Sequence, residues 1–393
     1  MKLKFGSEQN SNKQRLTVSI PLIIIYIIGI ASAVIYRVSL ANHAVADFFR
    51  DTIGFAIRFA LTRATYFMPF SLGEIMLFLS VPCAVFFLIR FIGRIRRSAC
   101  RWREVLRGII HFGAVASVLM FLFAFTLGVG YGATPIHTAM GIERRLISPD
   151  DLSYAMRVLV EEVNAELDNL QAKGLLKICH ETGGTIMPYD LRELSRRVYT
   201  AFENLRGERD FVRLIRARAK PIIISGIFSR MNIVGVYSFF TGEANINMSP
   251  PDYNTPNTTA HEFAHVFGIA REDEANFAAF LAALYSDCSY IRYSGLVKMI
   301  ERLRSPLILA DTEAYVEITA ELSSIARADM ADNRRFWDAY RDQPAARAAR
   351  AVNDAYLRAQ GRGREEDERH LGVATYGLDR DLAIIYLREF YRR

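Results

Sequence analysis

The chain has 393 residues, 51% of them hydrophobic, and a net charge of +7. That length supports a sizeable core, the apolar content excludes a disordered chain, and four cysteines are too few for a disulfide scaffold. The basic balance comes with no nucleic-acid motif, so a nucleic-acid partner is not expected.

In chain order, residues 1–15 are polar and carry Lys2, Lys4, Lys13 and Arg15. Three apolar runs follow within a membrane region at 16–132, at about 16–36, 72–92 and 108–131. Each approaches the 20 or so apolar residues that a bilayer core requires, so three transmembrane helices and a lipid partner are expected. The first run lacks a small-residue cleavage site and reads as an uncleaved anchor. Glu74, at the start of the second, is expected at the interface.

Short basic loops stay on the cytoplasmic side. The N-terminus is basic, and the loop after the second run holds Arg94, Arg96, Arg97, Arg101, Arg103 and Arg107 against Glu104. Both are therefore placed inside, and three crossings put everything after Tyr131 outside. The first loop, with Arg37, Arg50, Arg58 and Arg63, weakens the asymmetry, but Asp47 and Asp51 accompany them and the stretch reads as an interfacial helix.

Residues 141–393 should form one soluble domain, mainly α with a small β-sheet. Helical spacing or composition covers 148–172, 190–206, 274–285, 294–304, 310–328 and 332–360. A strand-like block interrupts them at 222–224, 233–240 and 244–248, with Thr241-Gly242 as a hairpin turn and 244–248 as the candidate edge strand. Cys179 and Cys288 are the cysteines of this domain, and both a disulfide and two buried thiols fit them. The charged stretch 361–369 reads as a solvated loop, and His370 beside it as a surface residue.

The most informative segment is Thr258-Thr259-Ala260-His261-Glu262-Phe263-Ala264-His265, followed by Val266-Phe267-Gly268 and by Glu272-Asp273-Glu274-Ala275-Asn276. On a helix, residues four apart share a face, so His261 and His265 aim at one ion while Glu262 sits beside it. Catalytic zinc needs three protein ligands, an open position for water and a base for its proton. Thr258 or Thr259 is a candidate cap, and Gly268 suits the left-handed end of the helix. The third ligand is expected in the acidic run, Glu272 before Glu274, with Asn276 orienting a histidine from the same face. Tyr293 and Tyr376 are candidates to donate to the oxyanion of a tetrahedral intermediate, against the alternative of core packing.

These residues resemble the zincin metallopeptidases of the gluzincin type, in which a second helix carries a Glu-x-x-x-Asp or Glu-x-x-Ala-Asn segment; Glu272 and Asn276 match it. The whole layout is similar to a family of bacterial membrane proteins of unknown function with three spans and a zincin-like domain. Four stretches carry that likeness: Phe240-Thr241-Gly242-Glu243-Ala244-Asn245-Ile246-Asn247, the block 261–277, Arg292-Tyr293-Ser294-Gly295 and Tyr376-Gly377. The resemblance implies an α+β, zincin-like domain outside a bacterial cytoplasmic membrane, with Zn2+ as cofactor and a peptide or protein substrate. A zincin-derived module that binds or senses without turnover is the alternative. Neither the substrate nor the oligomeric state follows from the sequence.

Overall fold

The computed structural model describes residues 19–341, 343–359 and 377–391. The helices are α1 (Ile20–Ala41), α2 (His43–Phe49), α3 (Phe55–Thr65), α4 (Leu72–Arg97), α5 (Arg101–Thr126), α6 (Ile136–Ala139), α7 (Pro149–Ala172) and α8 (Leu191–Glu208). They continue with α9 (Ser225–Arg230), α10 (Asn254–Phe267), α11 (Glu272–Leu284), α12 (Ser289–Ala310), α13 (Thr312–Ala320), α14 (Ser324–Asp338), α15 (Pro344–Ala359) and α16 (Leu378–Glu389). The strands are β1 (Lys220–Pro221), β2 (Gly235–Ser238) and β3 (Glu243–Ile246).

Helices α1, α4 and α5 have 22, 26 and 26 residues and are apolar enough to cross a membrane. At 1.5 Å per residue they are roughly 33–39 Å long, enough for a hydrocarbon core of about 30 Å. The third begins at Arg101, earlier than the apolar run suggested, and ends at Thr126, where a 3-10 turn over Gly128–Gly132 takes over. Only three residues separate α4 from α5, so the basic loop is a tight turn. The opposite ends of the spans meet the soluble domain: Thr62 Oγ1 of α3 donates to Gly242 O at 3.0 Å, and Lys220 Nζ donates to Thr65 O at 2.7 Å. The loop between the first two long helices and the soluble domain therefore lie at the same end of the bundle, because α4 runs away from that end and α5 returns to it.

The core gathers on α10, which packs against α11, α12, α8, β2 and β3. Phe263 and Phe267 are fully buried, and Phe267 meets Phe202 edge-to-face with centroids 5.0 Å apart. Each such side chain contributes about 1.5–3 kcal/mol by leaving water. The helix begins four residues before Thr258, so Thr258 and Thr259 lie inside it and do not cap it. Its first-turn amide at Asn257 is satisfied instead by Ser294 Oγ of α12, 3.1 Å away. A cap delivered from another helix leaves no local signature.

The sheet has the order β1-β3-β2, with β1 parallel and β2 antiparallel to β3. Thr241 and Gly242 do form the turn, with Gly242 at φ 69°. The expected edge is corrected: β3 is the central strand, buried at every position, and β1 and β2 are the edges. Four consecutive buried residues, Glu243 to Ile246, are what a strand with partners on both sides shows. The helical stretch 310–328 is split into α13 and α14, where Ser323 caps the second piece by accepting from Ile325 N. The stretch 332–360 is likewise divided between α14 and α15.

Candidate metal centre

Two helices joined by a sharp turn build the site. Gly268 ends α10 at φ 101°, in the left-handed region that favours glycine, and a β-carbon there would lie 2.6 Å from Arg58 Nη2. The chain then reverses into α11, whose first residue is Glu272. Its carboxylate is thereby carried back to the face of α10 that bears both histidines.

His261 Nε2 lies 3.2 Å from His265 Nε2 and 3.1 Å from Glu272 Oε2, and His265 Nε2 lies 3.6 Å from Glu272 Oε1. A tetrahedral zinc with bonds of about 2.0–2.2 Å holds its ligands roughly 3.3–3.5 Å apart, so the three residues fit such an ion. Among the described residues this is the group of histidine, cysteine and carboxylate ligands close enough to share a metal. His265 donates its Nδ1 hydrogen to Ile269 O at 2.7 Å. A carbonyl only accepts, so Nδ1 carries a hydrogen, and when the ring is neutral its lone pair is on Nε2, which faces the cluster.

His265 is buried, His261 partly so, and the Glu272 side chain is 54% exposed, which leaves one flank open to solvent. Burial alone would lower the pKa of His265, but the Glu272 carboxylate outweighs it and pushes the value up to about 9. Desolvation works against the Glu272 charge in turn, yet His265 and His261 hold it well below the usual carboxylate range. These shifts express the mutual attraction of the two imidazoles and the carboxylate, while the fit to an ion rests on the spacing of the three groups.

Glu262 is buried, and burial raises its carboxyl above the ordinary value although both histidines work in the other direction. Its Oε2 has no hydrogen-bond partner among the described residues. A buried carboxylate oxygen left without a donor costs stability, which a structural carboxylate would have no reason to retain. The other oxygen passes beneath β2: a β-carbon on Gly235 would lie 2.6 Å from Glu262 Oε1. The glycine lets the edge strand cross directly over the acid.

Glu274, the alternate ligand, is not in the cluster. It is buried in an ion pair with Arg271, at 2.9 Å, and accepts from Ile136 N at 3.1 Å. Helical spacing favours Glu272 over Glu274, and a partner from the segment after α5 is what occupies Glu274. The orienting role expected of Asn276 falls, for His265, to the Ile269 carbonyl. Tyr293 is fully buried and donates to Asp329 Oδ2 at 2.6 Å, beside Thr185 and Tyr290, so its hydroxyl serves the packing alternative rather than an oxyanion. Tyr376 lies outside the described residues. Cys179 and Cys288 are free, with Cys288 Sγ donating to Tyr189 Oη at 3.5 Å.

Three contributors escaped sequence reasoning. Gly235 is one. Tyr237, buried on the same strand, faces His265 with ring centroids 6.4 Å apart. Arg58, from the loop between the spans, donates to the last carbonyl of α10 at Phe267. Alternation on β2 could have pointed to Gly235 and Tyr237, but nothing local links Arg58 to a helix some two hundred residues away.

A family model described as "Protein of unknown function (DUF3810)" matches residues 52–376. No curated protein and no solved structure matches the chain.

Proposed function

The chain belongs to the DUF3810 family, whose description assigns no activity, so its chemistry is argued from the site, and we propose that it is a membrane-anchored zinc-dependent hydrolase, a peptidase. The observation that carries this reading is a buried carboxyl with an orphaned oxygen, Glu262, adjacent in sequence to His261 of a His-His-Glu cluster spaced for one tetrahedral ion. In this reading His261, His265 and Glu272 hold the metal. Zinc in such a ligand set supplies Lewis acidity, lowering the pKa of a water and polarising a carbonyl. Glu262 takes the proton of the attacking water at its free Oε2 and returns it to the departing amine. In this reading the lysine and arginine asymmetry favours a domain on the non-cytoplasmic side of the membrane.

Elemental analysis of the purified full chain tests the centre. We expect about one zinc per chain for the wild type, by the usual count for a catalytic site. His265→Ala and Glu272→Ala should lose the metal, while Glu274→Ala keeps it and melts at lower temperature because buried Arg271 and the Ile136 amide lose their carboxylate partner. A metal-free wild type that stays so after zinc is supplied removes the hydrolase reading. Metal retained with no turnover on any peptide would instead favour a binding or sensing module.

Gly235→Ala separates positioning from binding. Its methyl group would meet Glu262 Oε1 at 2.6 Å and the Thr258 methyl at 2.9 Å, so the nearest groups it displaces are the Glu262 carboxyl and Thr258. Zinc content should be unchanged and turnover should fall about a hundredfold, the scale set by a 1 Å misplacement. Unchanged turnover would show that Glu262 has room to move.

A further inference from the structure

Among the described residues, Leu309, Val316 and Val352 of the soluble domain are exposed singly, whereas four large apolar side chains are exposed within one short segment. Residues 221–236, which run from β1 through α9 into β2, contain a single charged residue, Arg230. They expose Ile223 at 70%, Ile227 at 50%, Val234 at 40% and Val236 at 39%. The connection between α3 and α4 adds Phe67 at 74% and Phe70 at 40%. Large residues exposed together in this way mark a surface that something covers.

Their placement says what covers them. Glu74, in the first turn of α4, accepts from Ile223 N and Ile224 N at 2.9 Å each. Glu243 reciprocates from β3, accepting from Leu72 N at 3.1 Å and Gly73 N at 2.8 Å. Lys220 pins the α3–α4 connection to β1 through the Thr65 and Met68 carbonyls. The apolar part of α4 runs from Leu72 to the arginines that begin at Arg90. Eighteen residues at 1.5 Å rise cover about 27 Å, which is close to the thickness of the hydrocarbon layer. The first turn of α4 thus lies where the helix enters the bilayer, and Ile223, bonded to that turn, lies at the same depth.

We propose that residues 221–236, with Phe67 and Phe70, form a second membrane-contact element that inserts into the boundary between headgroups and acyl chains where α4 enters. The partner is the lipid surface itself, continuous with the apolar flank of the span. Ile223 and Ile227 enter the acyl boundary by about 5–10 Å, the usual depth of interfacial helices. Arg230, the one charge of the segment, extends to the headgroup phosphates. Because β2 belongs to this segment and crosses Glu262 at Gly235, the lipid contact lies directly beside the candidate centre. Its substrates are then chain segments that are themselves tethered to the membrane. That consequence rests on the hydrolase reading, whereas the lipid contact does not.

The test uses the full chain with its four cysteines replaced by serine, a single cysteine at Ile227 and an environment-sensitive fluorophore on it. The protein is reconstituted in vesicles of phosphatidylcholine and phosphatidylglycerol whose lipids carry a nitroxide either near the headgroup or deep in the chain. A label at exposed Arg335 on α14 is the reference. We expect blue-shifted emission at 227, quenched roughly twofold or more by the shallow nitroxide and less by the deep one, as an interfacial depth requires. Quenching no greater than at Arg335 overturns the proposal. So does a blue shift that the lipid nitroxides leave unquenched, since a second copy of the chain then covers the patch. If the cysteine-free chain does not fold, Ile227→Trp in the otherwise natural sequence gives the same readout with brominated lipids, against the background of Trp102 and Trp337. None of these outcomes depends on metal or turnover, so failure here and failure of the hydrolase reading are separate results.

Discussion

Glu262→Gln should abolish turnover, by at least a hundredfold to ten-thousandfold, on a fluorogenic peptide library, the range in which loss of a general base falls. The glutamine has the shape of the acid and fits beneath Gly235, so the metal ligands stay where they are and zinc content should equal that of the wild type. The fold has a further consequence. Oε2 of Glu262 is buried and has no partner among the described residues, so the carboxylate is a cost that the folded state carries. An amide carries no charge into the same space, and the variant should melt at the same temperature or higher, the exchange of stability for function expected where a rule of packing is broken at a site. Turnover that survives removes Glu262 from the mechanism. A variant that loses both turnover and several degrees of stability would make the residue structural.

The legible part of this chain is the part written in short-range pattern. His261 and His265 four residues apart, Gly268 as the reversal and Glu272 as the next acid are all read within a dozen residues, and the structure brings these side chains together. The three apolar helices follow from length and composition alone. The features misplaced or left open are those whose cause lies far along the chain. Helical spacing prefers Glu272 to Glu274, but what holds Glu274 away from the cluster is Arg271 and a backbone amide at Ile136, more than a hundred residues away. The cap of α10 comes from Ser294. Strands β2 and β3 were found in outline, but which of them lies at the edge depends on β1 pairing in parallel with β3, and two residues of strand carry no periodicity. Tyr293 lay within a stretch that prompted a catalytic guess, yet its hydroxyl is needed by Asp329, a residue that offered no signal of its own.

Arg58→Met should lower the melting temperature of the full chain by several degrees and weaken zinc retention without touching a ligand. Arg58 is fully buried, and its Nη2 donates to Arg50 O at 3.0 Å and to Phe267 O at 3.4 Å, while Nη1 donates to Phe125 O at 3.4 Å. The Phe267 and Phe125 carbonyls lie at the C-terminal ends of α10 and α5, where helices leave their last acceptors unpaired and their dipoles are negative, and the Arg50 carbonyl lies in the π-helical turn Arg50–Gly54 that joins α2 to α3. One cation thus joins the interfacial helices, the third span and the helix that carries both histidines. Burial pushes its pKa down to about 10, which still leaves it protonated at neutral pH. Methionine keeps the stem volume but orphans three carbonyls, at about 1–3 kcal/mol each; since the burial cost of the charge is also removed, the net loss should be on the order of 2–4 kcal/mol. Arg58→Lys keeps the charge but lacks the planar fork, so it should recover part of the loss. Melting of the detergent-solubilised protein beside zinc content in the two variants measures this. If methionine leaves both unchanged, the two helix ends and the turn are held by their own packing, and the coupling between the spans and the metal helix does not run through Arg58.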